Sequence, residues 1–136
     1  MDRSLVIWKP DAVERGLVGE ILSRFERRSL RVAALEHRLL DADILARHYE
    51  EHVGKEFYAD LVAFMSRGPV VVGAIEGPQD TWRVVRQMMG ATNPLDAAPG
   101  TIRGDFGLLH TENLIHGSDS AESAVRELGI FFPGRF

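Results

Sequence analysis

One histidine near the end of the chain has neighbours that could make it reactive. His116 lies in the segment NLIHGSDS, between an apolar run and a polar turn. Because the ordinary pKa of histidine is about 6.5, one ring nitrogen keeps a free lone pair near neutral pH for nucleophilic attack or proton abstraction. Glu127 follows on an expected helix, which can return a carboxylate to the other ring N–H. Gly117 leaves room for a substrate, and Ser118 supplies a nearby hydroxyl. Spacing alone leaves a purely structural histidine as the alternative.

Three isolated cations mark where a phosphate could bind. Lys9 ends an apolar run directly before Pro10, Arg86 lies near the end of an expected helix, and Arg103 lies in a glycine-marked turn. A guanidinium in a rigid turn can bind phosphate through two parallel hydrogen bonds, so Arg103 is the first candidate for a phosphate ligand. The alternative is that each cation pairs with one of the 20 acidic side chains at the surface.

The sequence has no motif for a Walker-type loop or a metal cluster. The segment GLVGE lacks the lysine and hydroxyl residue that hold phosphates in such loops, and the 5 histidines form no H-E-x-x-H pair. We interpret His48 and His52, which share one expected helix, as a solvated helix face. The sequence therefore predicts no metal site built from protein side chains alone.

Length and composition indicate a globular chain and exclude several classes of protein. The chain has 136 residues, 45% hydrophobic and 26% charged, and we assign 1–136 to a single domain. A net charge of -4 argues against nucleic-acid binding through a basic surface, and the lack of cysteine excludes disulfides and cysteine catalysis. No apolar run approaches the roughly 20 residues of a membrane span. Since the N-terminus also lacks a signal-peptide layout, we expect a cytoplasmic protein without membrane contact.

Alternating strand and helix patterns must position these candidate side chains. Strand patterns cover 4–9, 31–40, 68–77 and about 106–109, and helical patterns cover 16–28, 43–52, 57–67, 80–89 and 119–129. Asp80 is the expected cap of one helix, and Asp119 with Glu122 has the spacing of a capping box at another. Segment 91–104, with two prolines and two glycines, has the character of a functional or interfacial loop.

The order of the predicted elements fits two architectures. One is a parallel, doubly wound sheet. The other is a ferredoxin-like split βαβ motif, with an antiparallel sheet covered by helices on one side. The pattern alone leaves both open.

Four segments together resemble nucleoside diphosphate kinase over nearly the whole chain: KPDAVERGLVGEI, GPVV, ATNPLDAAPGTIRGDF and NLIHGSDSAESA. The resemblance implies transfer of the γ-phosphate of a nucleoside triphosphate, typically ATP, to a nucleoside diphosphate. It implies a ping-pong mechanism through a phosphohistidine, with Mg²⁺ as cofactor. It also implies an α+β fold, a ferredoxin-like α/β sandwich with a four-stranded antiparallel sheet (βαββαβ) and added helices.

The resemblance also implies a catalytic role for five side chains. His116 matches the family's nucleophile, Glu127 matches the carboxylate that orients it, and Ser118 lies beside them. Tyr49 matches a side chain near the transferred group. Lys9 matches a residue that serves both catalysis and nucleotide binding.

A second set of side chains resembles the family's nucleotide ligands. Lys9 and Asn113 match the residues that hold the sugar hydroxyls and the end of the phosphate chain. The other matches are the phosphate ligands Arg86, Thr92 and Arg103 and the base-stacking aromatic Phe57. Segment 77–86 looks one residue longer than the family pattern, so Arg83 is the alternative to Arg86, whose spacing to GATNP favours it. Near the base, the residues around His110 lie where the family varies widely.

By resemblance, the expected partners are nucleoside triphosphates and diphosphates and further copies of this chain. Segment 91–100 matches a subunit-contact element, so a homo-oligomer is expected, either a tetramer or a hexamer. The alternative function is a nucleotide-binding regulatory module of the same fold with reduced catalysis. This sequence keeps every matched residue, which favours the enzyme.

Overall fold

The apolar runs form the strands of one sheet in a computed structural model of the chain, which describes residues 2–136. The strands are β1 (Asp2–Trp8), β2 (Arg31–Arg38), β3 (Val70–Gly77) and β4 (Ile115–Gly117). All neighbours pair antiparallel, in the order β2-β3-β1-β4. The sheet therefore has the ferredoxin-like βαββαβ arrangement. A parallel doubly wound sheet is excluded.

Helices connect the strands and cover the sheet. They are α1 (Pro10–Glu14), α2 (Val18–Arg27), α3 (Ala42–His48), α4 (Tyr58–Ser66), α5 (Thr81–Met89), α6 (Ile102–Phe106) and α7 (Ala121–Phe131), with a 3₁₀ turn at Pro94–Asp96. Between 2 and 136, none of the helices has the length and apolar character needed to cross a bilayer.

Both faces of the sheet are covered, which differs from the one-sided cover expected of the split βαβ motif. Successive residues of β1 point to opposite faces. Leu5 and Ile7 pack with side chains of α3, α4 and α7, whereas Val6 and Trp8 pack with side chains of α2, α5 and α6. All four side chains are fully buried. A strand covered on both faces reads as a continuous apolar run, and the sequence pattern therefore could not distinguish the two architectures.

The strand predicted at about 106–109 is wrong. Thr101 caps α6 by accepting a hydrogen bond from the Gly104 N–H at 3.0 Å, so this stretch begins as a short helix. After the helix, Leu108 and Leu109 are 75% and 57% exposed. These apolar residues remain mostly exposed, and the last strand forms later, at β4.

The predicted helix ends differ in detail from the observed ones. Asp80 precedes α5 in a left-handed conformation, and its side chain accepts no capping hydrogen bond. At α7 the cap is Ser120, whose hydroxyl accepts from the Ser123 N–H at 2.9 Å, and not Asp119. The side chain of Ser123 instead contributes most to lowering the pKa of Asp119. The helix predicted over 43–52 already ends at His48, where α3 gives way to turns.

Candidate active site

The short edge strand β4 places His116 against β1. In β1, Ile7 is the register partner of His116, so both side chains lie on the face covered by α3 and α7. Just before the strand, Leu114 has a φ of 76°, a left-handed conformation that costs an L-residue about 1–2 kcal/mol. Its N–H donates to Oδ2 of Asp11 at 3.0 Å, and burial raises the pKa of this carboxyl. The contact holds the approach to β4 in a strained but defined path.

Behind the ring, Glu127 contacts one nitrogen of His116, and Ser118 contacts Glu127. Nε2 of His116 lies 3.2 Å from Oε1 of Glu127, and the Ser118 hydroxyl donates to the same oxygen at 2.7 Å. Ser118 also accepts from the Leu5 N–H at 3.1 Å, which ties it to β1. Burial alone would raise the pKa of Glu127, but the hydrogen bond and charge of His116 bring it below its ordinary value. An ionised carboxylate only accepts, so Nε2 carries the proton and Nδ1 keeps the lone pair.

A second histidine lies against the first. His48, at the end of α3, is 4% exposed, and its ring centroid is 4.7 Å from that of His116. Neither of its ring nitrogens has a hydrogen-bond partner. Burial, followed by the charge of His116, lowers the pKa of His48 to about 3, so the ring is neutral. The interpretation of His48 and His52 as a solvated helix face is wrong, because α3 turns His48 into the core and His52 lies half-buried after the helix has ended.

On the other side of His116, a chain of polar contacts links distant parts of the sequence. The Lys9 ammonium donates to Oδ1 of Asn113 at 2.8 Å, and Nδ2 of Asn113 donates to the backbone carbonyl of Thr92 at 2.9 Å. Burial, with a smaller contribution from the charge of Arg103, lowers the pKa of Lys9 to about 8. The amide of Asn113 therefore fixes Lys9 and the Thr92 segment relative to each other.

Arg103 is buried and holds the backbone around β4. It donates from Nε to Asn113 O at 3.2 Å, from Nη1 to Gly90 O at 3.1 Å and from Nη2 to Ile115 O at 2.6 Å. Burial, followed by the charge of Arg86, lowers the pKa of Arg103 to about 10. Three of its five N–H groups are used in this way, which leaves two for a ligand. Arg103 lies in the short helix α6 and not in the turn expected from the sequence.

Of the two arginines considered for one role, Arg86 faces the site. Its Nη1 donates to the carbonyl of Gly117 at 3.1 Å, beside His116. Arg83 lines a different cavity, with Gln79 and Gln87. Gly117 itself lines the cleft, and a Cβ there would lie 2.6 Å from Sδ of Met89.

His116 and the cations Lys9, Arg86 and Arg103 line one cleft of about 340 Å³. Its volume is at the lower end of the range of small-molecule sites, about 300–1,000 Å³. Phe57 is half-exposed at the start of α4, and His110 also contributes to the lining. Burial raises the pKa of the Tyr49 hydroxyl, and the negative charge of Glu127 adds to the shift. Eight of the predicted catalytic and nucleotide-binding residues line this cleft: Lys9, Tyr49, Phe57, Arg86, Thr92, Arg103, Asn113 and His116.

Two predicted residues and several unpredicted ones lie around the cleft. Glu127 and Ser118 are not part of the lining, since both are buried behind His116. Sequence reasoning missed the inward position of His48 and the anchoring contact of Asp11. A spacing of three residues from the buried Leu45 was the available signal for His48, because residues three apart share a helix face.

The lining of the cleft would suit Mg²⁺ only if the ion arrived with a phosphate chain. No Asp or Glu belongs to the lining described between residues 2 and 136, so the protein offers this ion no carboxylate there. Mg²⁺ is commonly held by substrate phosphates and waters with few protein ligands. The cations Lys9, Arg86 and Arg103 suit the remaining negative charge of such a substrate.

Comparison with protein families gives one match across the chain. The family model described as nucleoside diphosphate kinase matches residues 2–135. The nucleoside diphosphate kinase of Streptomyces coelicolor is 58% identical over 134 residues, which cover 98% of this chain and 97% of that protein. The enzyme of Thermomicrobium roseum is 54% identical over 132 residues, which cover 97% of this chain and 88% of that protein.

Solved structures give the same result for the fold. A nucleoside diphosphate kinase of Halobacterium salinarum in complex with CDP has a TM-score of 0.92 at 45% identity, covering 96% of this chain and 87% of that chain. A family protein from Babesia bovis has a TM-score of 0.93 at 45% identity, covering 97% of this chain and 88% of that chain. With a histidine between a carboxylate and a cationic cleft, and with this likeness along its length, the chain belongs to the nucleoside diphosphate kinase family.

Proposed function

We propose that this chain works as a nucleoside diphosphate kinase in which His116 is the residue that accepts and passes on the phosphoryl group. In the first half-reaction, a nucleoside triphosphate, typically ATP, would leave its γ-phosphoryl group on His116. In the second, a nucleoside diphosphate would take that group away. The observation that carries the proposal is the pairing of Nε2 with Glu127, which leaves Nδ1 as the nucleophile of a ring that lines the cationic cleft.

The transfer follows from the protonation of the ring. Nδ1 of His116 attacks the γ-phosphorus as the bond to the bridging oxygen breaks, and the diphosphate leaves with that electron pair. The ring becomes positively charged while its Nε2–H still donates to Glu127, and the carboxylate stabilises this charge. Ser118 holds the carboxylate in place. The reverse sequence, with a different diphosphate, completes the ping-pong cycle.

Charge on the transferring group is met by the cations of the cleft. A phosphoryl group in transfer spreads negative charge over its oxygens, so fixed positive groups lower the barrier. The two free N–H groups of Arg103, with Arg86 and Lys9, are the groups we assign to this task, and Thr92 and Asn113 complete the ligand set. Tyr49 is the side chain that we assign beside the transferred group. Mg²⁺ bound to the substrate phosphates would neutralise part of their charge.

Phe57 suits a base of any identity. Its ring is half-exposed at the mouth of the cleft, where a base can stack on it. Stacking requires no particular hydrogen-bond pattern, so one site can serve different nucleotides.

Labelling tests the nucleophile directly. Incubation with Mg²⁺ and ATP labelled in the γ-phosphate should give a label on the protein that is stable to base and lost in acid, the behaviour of a phosphohistidine. His116→Ala should carry none, whereas the matched control His37→Ala, altered on β2, should be labelled like the unchanged protein. An unlabelled protein, or a labelled His116→Ala variant, would refute the proposal.

A chase separates the enzyme from a regulatory nucleotide-binding module. Labelled protein freed of ATP and mixed with GDP should return the label as GTP. A module with reduced catalysis would bind nucleotide and keep or never acquire the label. Transfer from protein to GDP therefore distinguishes the two functions.

We also propose that copies of this chain assemble, as a tetramer or a hexamer. Large apolar side chains are exposed in two places. Leu95 in segment 91–104 is 81% exposed, and Leu108 after α6 is 75% exposed. Leu39, which follows the edge strand β2, is 69% exposed. Such residues gain stability when a partner covers them. Light scattering of the purified protein measures the number of copies, and a monomer would contradict the proposal.

Two further expectations complete the proposal. Residues 1–136 act as one catalytic domain, and the expected place of work is the cytoplasm. Purified chain that transfers phosphate unaided supports the first, and cell fractionation tests the second.

A further inference from the structure

We propose that His48, His116 and Glu127 form a binding site for one divalent transition metal such as Zn²⁺, at the Nε2 edge of the nucleophile. The site is separate from the Mg²⁺ that accompanies the substrate. Its occupation would hold the enzyme in an unreactive form.

The three side chains offer ligand atoms at suitable distances. Oε1 of Glu127 lies 3.2 Å from Nε2 of His116, and Oε2 of Glu127 lies 3.8 Å from Nδ1 of His48. One ligand atom from each residue falls within 4.8 Å of the other two. Ligand atoms about 2.0–2.1 Å from a tetrahedral Zn²⁺ lie about 3.3 Å apart, so small side-chain movements suffice.

The strongest indication is the unpartnered ring of His48. Its side chain is 1% exposed, and neither nitrogen has a hydrogen-bond partner. The edges of Tyr49 and Phe131 surround it, with ring centroids 4.4 Å and 5.3 Å away. A buried polar group without a partner costs about 1–3 kcal/mol, and such groups in native proteins call for an explanation. A metal bound to its lone pair would remove that cost.

The donor types select the class of metal. Two imidazoles and one carboxylate are the protein ligands of many zinc sites with three protein ligands, whereas Mg²⁺ prefers oxygen alone. Imidazole also suits Co²⁺, Ni²⁺ and Cu²⁺. A cavity of about 210 Å³ opens beside all three ligands, which leaves room for entry and for a water as the fourth ligand.

One nearby cation opposes metal binding. Nη2 of Arg126 lies 3.9 Å from Oε2 of Glu127, the oxygen closest to His48. Its side chain is 36% exposed and also donates to the carbonyls of Arg47 and His48. Arg126 can therefore move outward, and its removal should favour the metal.

The effect on catalysis follows from the proton count on His116, and this step rests on the proposed function. A metal that takes the lone pair of Nε2 displaces the proton from that nitrogen. The neutral ring then carries its proton on Nδ1, and no net proton is gained or lost. The lone pair that would attack phosphorus is gone. Inhibition should therefore persist at saturating nucleotide, because the metal binds Nε2, the nitrogen next to Glu127, whereas the proposed phosphoryl transfer uses Nδ1.

Cobalt provides a direct probe that does not depend on activity. Untagged protein, stripped of metal and free of nucleotide, is titrated with Co²⁺, and the intense visible bands of a four-coordinate ion should appear with one equivalent and vanish on addition of Zn²⁺. His48→Leu should weaken Co²⁺ binding at least tenfold, about the smallest loss seen even for an indirect partner of a metal site. His48→Gln, with circular dichroism on both variants, shows that the loss does not come from misfolding. The matched control His52→Leu should bind normally, and Arg126→Gln should bind more tightly.

Two results would overturn the site: no four-coordinate spectrum, or equal binding by the unchanged protein and His48→Leu. Labelling from γ-labelled ATP is then compared with and without one equivalent of Zn²⁺. Labelling that stops with Zn²⁺ in the unchanged protein and continues in His48→Gln supports the inhibitory role, and equal labelling refutes it. If no label forms even without Zn²⁺, the proposed phosphotransfer fails, while the cobalt result still decides the metal site.

Discussion

The two sides of the His116 ring differ in charge. The side that faces the cleft meets three cations and, among the described lining residues, no carboxylate. The side that faces α7 meets the buried carboxylate of Glu127, which the Ser118 hydroxyl holds in place. The cleft side therefore attracts phosphate, and the α7 side determines which nitrogen carries the proton. Substitutions on the two sides should separate phosphate binding from the reactivity of the ring.

The largest change is expected on the cleft side, for Arg103→Ala. We expect kcat/KM to fall by about 10³-fold or more, the lower range for loss of an arginine that stabilises phosphoryl transfer. The free energy of unfolding should also fall, by about 2–3 kcal/mol, because buried backbone carbonyls lose their donor. Steady-state kinetics and urea unfolding measure the two effects. The exposed Arg83→Ala is the control, and similar losses there would show that general charge, and not position, is responsible.

On the α7 side, Glu127→Ala should lower kcat by about 10²-fold, since it removes the group that orients the nucleophile. The affinity for nucleotide should change little, because the carboxylate does not line the cleft. Rapid-quench labelling and nucleotide titration measure the two quantities. Glu122→Ala, on the exposed first turn of α7, is the control. If nucleotide binding fell as much as the rate, the contrast between the two sides would be lost.

The pH dependence of kcat/KM should report the charge of Lys9. Its pKa is lowered to about 8, so the ammonium loses its proton, and the cleft loses one positive charge, as the pH rises through that value. We expect kcat/KM to fall about tenfold per pH unit above pH 8. In Lys9→Arg the guanidinium stays charged, so the decrease in kcat/KM should move to higher pH. An unchanged midpoint in that variant would assign the titration to another group.

The smallest effect is expected for Ser118→Ala. Without the hydroxyl, Glu127 keeps its contact with His116 but loses a donor to its ionised carboxylate, so kcat should fall about tenfold, the lower end for one hydrogen bond to a charged group. The variant should also lose about 1 kcal/mol of stability, because the buried Leu5 N–H loses its acceptor. Kinetics and urea unfolding measure both, with the exposed Ser66→Ala as control. A loss as large as that of Glu127→Ala would mean that Ser118 does more than hold the carboxylate.

Local sequence motifs identified most residues of the cleft. They missed the features that depend on packing between residues far apart in the sequence. Lys9 and Asn113 meet through a 2.8 Å contact although they belong to opposite ends of the chain, and no periodicity predicts such a meeting. Only the combined segments of the family pattern placed them together. Arg83 and Arg86 are less than one helical turn apart on α5. The structure shows that Arg86 lines the cleft, whereas Arg83 lines another cavity.

The errors of prediction share a physical cause. Apolar residues at 106–109 suggested a strand because apolar residues usually pack within their own chain, yet Leu108 and Leu109 are exposed here. His48 looked like a surface residue because its helix is short and polar around it. His48 is buried because α3 packs against α7, and the sequence around His48 does not indicate this contact.

Arg103 carries a consequence for how such a chain can change by mutation. Because its guanidinium is tied to three backbone carbonyls as well as facing the cleft, a random loss of Arg103 damages the scaffold together with the chemistry. Among the described residues, His116 makes one side-chain hydrogen bond and none to a backbone carbonyl, so its replacement should leave the architecture largely intact. A lineage that abandons catalysis while keeping a folded nucleotide pocket therefore has an easy route through position 116 and a difficult one through position 103. Inactive but folded variants for engineering should likewise be made at the histidine.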